Sequence, residues 1–397
     1  MNIKLFIRQY IKMAAQKIYL PAVYRFYSHR ETVPSLIIFA DAHHDTCPES
    51  MRSLRSELKR RLDGKGGGQL KELYLDYQNA SFLQTIRHMT LFMKLYAQAG
   101  AVVICDNFLP AAGCRKKPET KVIQLWHACG ALKRFGYDAL EDIPKNYRGN
   151  VFRNTDRVTV SSPLCVEPFA AAMRLPKESV WPAGVCRTDR YFSDVWKKRM
   201  HEKLLEAVPA AKGKKIVVWA PTFRGRPGEP HRLALDLEDL ACRLGEEYLI
   251  IEKQHPHVRE EAGDGDGKPS GRVIRNCPLT TQELFPSADV LIADYSSLIY
   301  EYLLFEKPLI LYIPDFDRYE KARGFYMSHS EIPGQRVYTQ EDLADAVRGA
   351  LGPEDPKERE ERERFLSRWM SCCDGHSTRR IADYLLGEEE SSSRPEE

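Results

Sequence analysis

The sequence predicts an α/β protein of two domains, each an open parallel sheet flanked by helices. Three observations lead there. The chain has 397 residues, too many for one ordinary hydrophobic core. From Pro34 onward, short apolar runs alternate with amphipathic stretches of helical period, the pattern of successive βαβ units. One stretch, residues 289–311, spells such a unit out: an apolar run at 290–293 stops at Asp294, a helix-like pattern follows, and a second apolar run opens after Pro308. Ser296 and Ser297 stand where an N-cap is expected. In such units the crevice beyond the strand's carboxyl end takes ligands, and a helix N-terminus there favours a phosphate. An ordinary capped helix gives the same local pattern.

Composition narrows the class. Hydrophobic residues at 43% and charged residues at 29% fit a globular chain. A net charge of +3 carries no nucleic-acid signature, so no nucleic-acid partner is expected. The ten cysteines show no CxxC spacing, which argues for free thiols rather than a zinc site or a disulfide frame. No run of 18 apolar residues occurs to span a membrane, and the start is too charged and broken for a signal peptide.

Residues 1–30 carry Lys4, Arg8, Lys12, Lys17, Arg25 and Arg30 with no acidic residue before Glu31. Ile3, Ile7, Ile11, Ala14 and Ile18 recur at helical spacing, with aromatic bulk from Phe6 to Tyr27. A basic amphipathic helix of this kind suits an anionic membrane surface; a first helix packed on the protein's own core is the alternative. Residues 31–200 form the first domain, with strands expected at 36–40, 72–75, 102–105, 122–125 and 157–161 and helices around 50–62 and 81–98. The glycines of 63–68 lack a following Lys-Ser/Thr and read as a turn.

Residues 124–136 follow directly on an apolar run and include Trp126, His127, Gly130, Lys133, Arg134 and Gly136. An imidazole at a strand end beside two cations is a candidate general base near neutral pH, or else a structural histidine. Residues 201–372 form the second domain. A strand from 215 runs into Pro221-Thr222-Phe223-Arg224, where Thr222 and Arg224 suit phosphate oxygens or make a plain turn. A polar, mobile loop is expected at 225–230, a helix at 233–244, and a strand at 248–252 ending near His255. Asp315 and Asp317 make a short carboxylate pair, too common a pattern to predict a metal. Residues 374–380 are expected to cap a last helix within 373–387, and 388–397 reads as a disordered acidic-serine tail.

These motifs, in this order, resemble the CDP-glycerol glycerophosphotransferase family, the teichoic-acid primases and polymerases. The matching pieces are 124–136, 184–189, 219–224, His255-Pro256, 294–308, Arg323-Gly324 with Ile332-Pro333-Gly334, and 374–381. Ala128 stands where that family has Gly, and Glu301 where it often has Asp. The resemblance implies a GT-B-like architecture, two Rossmann-like domains facing across a cleft. It implies transfer of glycerol phosphate or ribitol phosphate from CDP-glycerol or CDP-ribitol to a polyprenyl-linked saccharide or polymer, releasing CMP, without metal or cofactor. His127 and His255 match the family's essential histidines. His127 would be the base, and His255 would assist the leaving CMP. Thr222, Arg224, Ser296 and Ser297 would hold the diphosphate, and Glu301 would reach the ribose. Asp294, Lys133, Arg187, Asp189 and Arg323 complete the substrate-binding set. A peripheral position on the cytoplasmic face of the cell membrane follows from such an acceptor. A GT-B glycosyltransferase using a sugar nucleotide and a non-catalytic scaffold that binds polymer or lipid are the competing readings. Glycerol against ribitol, priming against polymerisation, the acceptor and the oligomeric state stay open at this level.

Overall fold

A computed structural model describes residues 10–64, 68–139, 143, 147, 149–222, 224–226, 229–231, 233–254 and 271–388. His255, the turn at 263–267, the middle of the glycine loop at 65–67 and the tail beyond 388 lie outside the described residues. Two compact units emerge: residues 1–128, 135–189 and 371–397 form one, residues 129–134 and 190–370 the other.

The first unit is built on β1 (Val33–Asp41), β2 (Gln69–Tyr74), β3 (Ala99–Ile104), β4 (Lys121–Gln124), β5 (Arg157–Thr159) and β6 (Val180–Trp181). They form one sheet in the order β2-β1-β3-β4-β5-β6, parallel throughout. The helices are α1 (Leu20–Tyr27), α2 (Glu49–Gly64), α3 (Phe82–Tyr96) and α4 (Val166–Met173). Helix α3 starts at a reciprocal capping box between Ser81 and Gln84. Alternate residues of β1 feed opposite layers. Ile38 and Ala40 pack with Leu20, Tyr24, Phe92 and Tyr96, while Ile37 and Phe39 pack with Met51, Leu54 and Leu58. Burial on both faces is why the central strands read as continuous apolar runs. The chain leaves β1 toward β2 on one side and returns to β3 on the other, so the strand order reverses between β1 and β3, where ligands bind in such sheets.

The second unit holds β7 (Lys215–Ala220), β8 (Arg224–Arg226), β9 (Glu229–His231), β10 (Tyr248–Glu252), β11 (Val273–Ile274), β12 (Val290–Ala293), β13 (Leu309–Tyr312) and β14 (Gln335–Val337). All but β8 and β9 form a parallel sheet in the order β11-β10-β7-β12-β13-β14. Counted within the unit, that is the strand order of a Rossmann sheet, with its switch point between β7 and β12. On either side of residues 227–228, which lie outside the described residues, β8 and β9 pair as a small antiparallel ribbon where a loop was expected at 225–230. The helices are α5 (Asp194–Ala207), α6 (Leu237–Leu244), α7 (Thr281–Leu284), α8 (Leu298–Tyr302), α9 (Phe316–Arg323), α10 (Leu343–Ala350) and α11 (Pro356–Trp369). Helix α6 begins later than the apolar pattern suggests, because the Asp236 carboxylate accepts the Glu238 and Asp239 N–H groups and fixes its start.

Two segments depart from simple sequence order. Residues 129–134 form a strap in the second unit: Lys133 bridges Phe325 in antiparallel fashion, Arg134 N–H donates to the Gly324 carbonyl at 3.1 Å, and Tyr326 N–H donates to Leu132 at 2.9 Å. Gly130 sits at φ +63° with its α-carbon against the Tyr300 ring, where a β-carbon would come within 2.3 Å. The last helix, α12 (Ser377–Leu386), returns to the first unit, burying Ile381 and Leu385 with the α2 leucines.

Candidate active site

In the first unit, three successive strand ends carry titratable side chains: Asp41 closes β1, Asp106 follows β3, and His127 follows β4. The β4 turn is braced by Gln124, whose Oε1 accepts the Trp126 N–H at 3.2 Å and whose Nε2 donates to the Asp106 carbonyl at 3.1 Å. Trp126 adopts φ +59°, a left-handed conformation that a bulky residue rarely takes. Its buried indole packs 5.0 Å from Phe135 and 6.1 Å from Phe169, which holds the strained turn. The His127 ring lies 4.4 Å from that indole and is about half exposed, at 53%. Its Nδ1 is 3.0 Å from Asp106 Oδ2, and Asp106 Oδ1 accepts the Asn107 N–H at 2.6 Å. Burial alone would raise the Asp106 carboxyl. The charges of His127 and His43, the His127 hydrogen bond and the Asn107 N–H outweigh burial and hold it well below the usual carboxylate range.

Asp41 stands beside this pair across the switch point. It accepts the His43 N–H at 2.8 Å and the Cys105 thiol at 3.4 Å, and it pairs with His44 Nδ1 at 2.9 Å. Burial works to raise the Asp41 carboxyl, but His44 and His43 outweigh it and lower it, and the same His44 hydrogen bond raises His44. His43 Nε2 lies 3.2 Å from the Asn107 carbonyl. Sequence reading singled out none of Asp41, His43, His44 and Asp106. Their signal was position: Asp41 ends one apolar strand with His43 and His44 in the loop after it, and Asp106 comes shortly after another, as His127 does after β4.

In the second unit, Asp294 is fully buried at the switch point and organises the turn. It accepts Thr222 N–H at 2.9 Å and Thr222 Oγ1–H at 2.6 Å, Tyr295 N–H at 2.6 Å and Arg224 Nη1–H at 2.8 Å. Arg224 also grips Asp315 through Nε at 2.7 Å and Nη2 at 3.0 Å and lies 5.0 Å from the Tyr295 and Tyr319 rings. Burial works against its charge, but the two carboxylates prevail and raise its pKa. The Thr222 hydroxyl and the Arg224 guanidinium, expected to face phosphate, are thus turned onto carboxylates, and Asp315 is an ion-pair partner.

The serine turn differs in detail from its reading. Helix α8 has five residues, and Ser297 makes no side-chain cap. Ser296 Oγ accepts the Leu298 N–H instead, at 3.3 Å. So short a helix has a weak dipole. Glu301 is fully buried and accepts the Tyr191 hydroxyl at 2.6 Å.

Cations gather close by. The strap brings Lys133 and Arg134 alongside Gly324, next to Arg323 at the end of α9. Phe325, paired with Lys133, lies 5.8 Å from Tyr295. Elsewhere, Arg187 is buried with Nη1 on Ser50 Oγ at 2.7 Å. Asp189 accepts Ser377 N–H at 3.1 Å and Thr378 N–H at 2.6 Å, so it caps α12. Asp374, which opens the stretch expected to cap that helix, accepts the His376 N–H at 3.1 Å and pairs with Arg380 at 2.8 Å. Among the described residues, no group of three or more His, Cys, Asp or Glu side chains is placed to hold a metal ion.

Two Rossmann-like sheets of this kind define an α/β fold of the GT-B type. The chain belongs to the CDP-glycerol:poly(glycerophosphate) glycerophosphotransferase family, whose profile matches residues 22–387. It is 31% identical over 312 residues to the teichoic acid ribitol-phosphate primase of Bacillus spizizenii, covering 74% of this chain and 77% of that one. It is 30% identical over 319 residues to the teichoic acid glycerol-phosphate primase of Bacillus subtilis, covering 77% and 79%. The chain spans about half the length of the ribitol-phosphate polymerases that it also matches. The solved wall teichoic acid polymerase TagF shares the fold, with TM-score 0.71 at 19% identity over 96% of this chain and 98% of that one.

Proposed function

We propose that the chain transfers glycerol phosphate or ribitol phosphate from a CDP-alcohol to a hydroxyl of a lipid-linked saccharide or polymer, releasing CMP, in teichoic-acid-type polymer synthesis. The observation that carries this reading is the half-exposed His127, held on a carboxylate at a strand end, in a chain of this family. The acceptor hydroxyl gives its proton to His127 as its oxygen attacks the phosphorus that bears the alcohol. The bond from that phosphorus to the bridging oxygen breaks, and the electron pair leaves on CMP. Lys133, Arg323 and the turn at Ser296 and Ser297 supply cations and donors for the diphosphate. The Asp294–Thr222–Arg224 network holds that turn in shape, so charge developing on the leaving phosphate meets groups already in place. His255 is assigned to the departing CMP by resemblance alone.

The acceptor side fits a membrane surface. Ile11, Ala14 and Ile18, the apolar stripe expected to pack on a core or a bilayer, are exposed, Ile18 at 71%, and so is Phe26 at 70%. Lys12 and Lys17 lie in the same segment and Arg25 in α1. No helix among the described residues is long and apolar enough to cross a membrane. We place the chain on the cytoplasmic face of the membrane, where its acceptor is presented.

The test is a donor screen on purified protein with a detergent-solubilised prenyl-linked acceptor. CMP released from CDP-glycerol or CDP-ribitol, dependent on acceptor, is the expected result. Activity only with a nucleoside-diphosphate sugar would replace this reading with glycosyl transfer.

A further inference from the structure

We propose that Asp106 is the positioning residue of His127: its carboxylate fixes the imidazole with the proton on Nδ1 and leaves Nε2 free to take the acceptor's proton. The proposal rests on the reading of His127 as the base. An exposed imidazole left alone rotates and exchanges between two tautomers, and only one presents a lone pair at a given nitrogen. An ionised carboxylate can only accept, so at 3.0 Å it selects the Nδ1–H form. It also stabilises the imidazolium that forms when the proton arrives, without taking that proton itself.

The carboxylate is in turn immobilised. Its Oδ1 accepts the Asn107 N–H at 2.6 Å, and the backbone carbonyl of the same residue accepts from Gln124 Nε2 at 3.1 Å. Gln124 belongs to the strand that carries His127, so one amide side chain ties both partners to the ends of adjacent strands. The charged neighbours favour the same state. His43 comes in from the loop after β1 and touches the Asn107 carbonyl. Asp41, whose negative charge would oppose ionisation of Asp106, is engaged by His44 at 2.9 Å and by the Cys105 thiol. The ordering of base by carboxylate, and of carboxylate by backbone, is the support that a proton-transferring imidazole needs to act at a fixed angle.

The experiment compares wild type with Asp106→Asn, Asp106→Glu, His127→Ala and the double variant Asp106→Asn/His127→Ala in acceptor-dependent CMP release. In Asp106→Asn the amide can donate to Nδ1 and favour the wrong tautomer. We expect kcat to fall about 100-fold or more, with donor KM within about twofold. Asp106→Glu, which keeps a carboxylate that can only accept, is expected to recover part of the lost kcat. Adding Asp106→Asn to His127→Ala costs no more than about twofold further. Nitrogen-15 spectra of labelled histidine give a readout that needs no turnover: His127 is expected as the Nδ1–H tautomer in wild type and shifted toward Nε2–H in Asp106→Asn. A wild-type kcat and an unchanged His127 tautomer in Asp106→Asn, while His127→Ala is dead, would overturn the positioning role and leave the base assignment standing. A fully active His127→Ala would overturn both.

Discussion

Arg224 shows how much a single side chain holds in the second unit. Its guanidinium spans Asp294 and Asp315, and Asp294 is fully buried. Removing the cation strands that carboxylate, so Arg224→Ala is expected to cost about 3 kcal/mol of unfolding free energy. Arg224→Lys should recover little, because a single ammonium cannot fork between two carboxylates; denaturant unfolding of the two variants checks this. His329 gives a pH signature. Burial and the Arg336 charge lower its pKa, only partly offset by the Asp294 carbonyl. Below about pH 6.5 the unfolded chain takes up a proton that the folded chain refuses. Stability should therefore decline as pH falls through that region, and the decline should flatten in His329→Gln, as read by Tm at pH 7.5 and 5.5. At this scale the sequence is an uneven guide. His127 stands out through its neighbours Trp126 and Gly130, but a lone aspartate after a strand, such as Asp106, acquires meaning only once the strand order sets it beside β4. The contact of Glu301 with Tyr191 was not legible either, because spacing from Ser297 gives distance along a helix, not which face meets another segment.

Elements were legible where burial alone determines them. The runs at 248–252 and 290–293 are strands at those bounds, because strands covered on both faces read as near-continuous apolar runs. The β8–β9 ribbon was not legible: glycine, proline and arginine in 225–230 disguise backbone pairing. Nor was the start of α12, which is capped from a distant segment by Asp189. Asp189→Ala should cost about 1 kcal/mol, and Asp189→Asn should keep most of it, since asparagine caps nearly as well; thermal unfolding distinguishes them. Gly130→Ala should destabilise through both its left-handed backbone and its clash with Tyr300, by at least the roughly 1 kcal/mol that a left-handed non-glycine residue costs.

For the whole molecule, attachment to lipid is the property most open to measurement. Lys12, Lys17 and Arg25 each contribute about 1 kcal/mol near an anionic surface. Reversing all three to Glu should weaken binding to phosphatidylglycerol vesicles by about a hundredfold or more, and wild-type binding should fall as salt rises. Co-sedimentation reads both, and unchanged binding would remove the membrane from the proposal.

The return of α12 to the first unit bears on how the protein is made. The pocket over Met51, Leu54 and Leu58 that Ile381 and Leu385 fill stays open until the ribosome has released residues more than three hundred positions downstream. The unit that begins first during translation is therefore completed last, and its apolar groove is the nascent chain's exposure to chaperones and to misassembly.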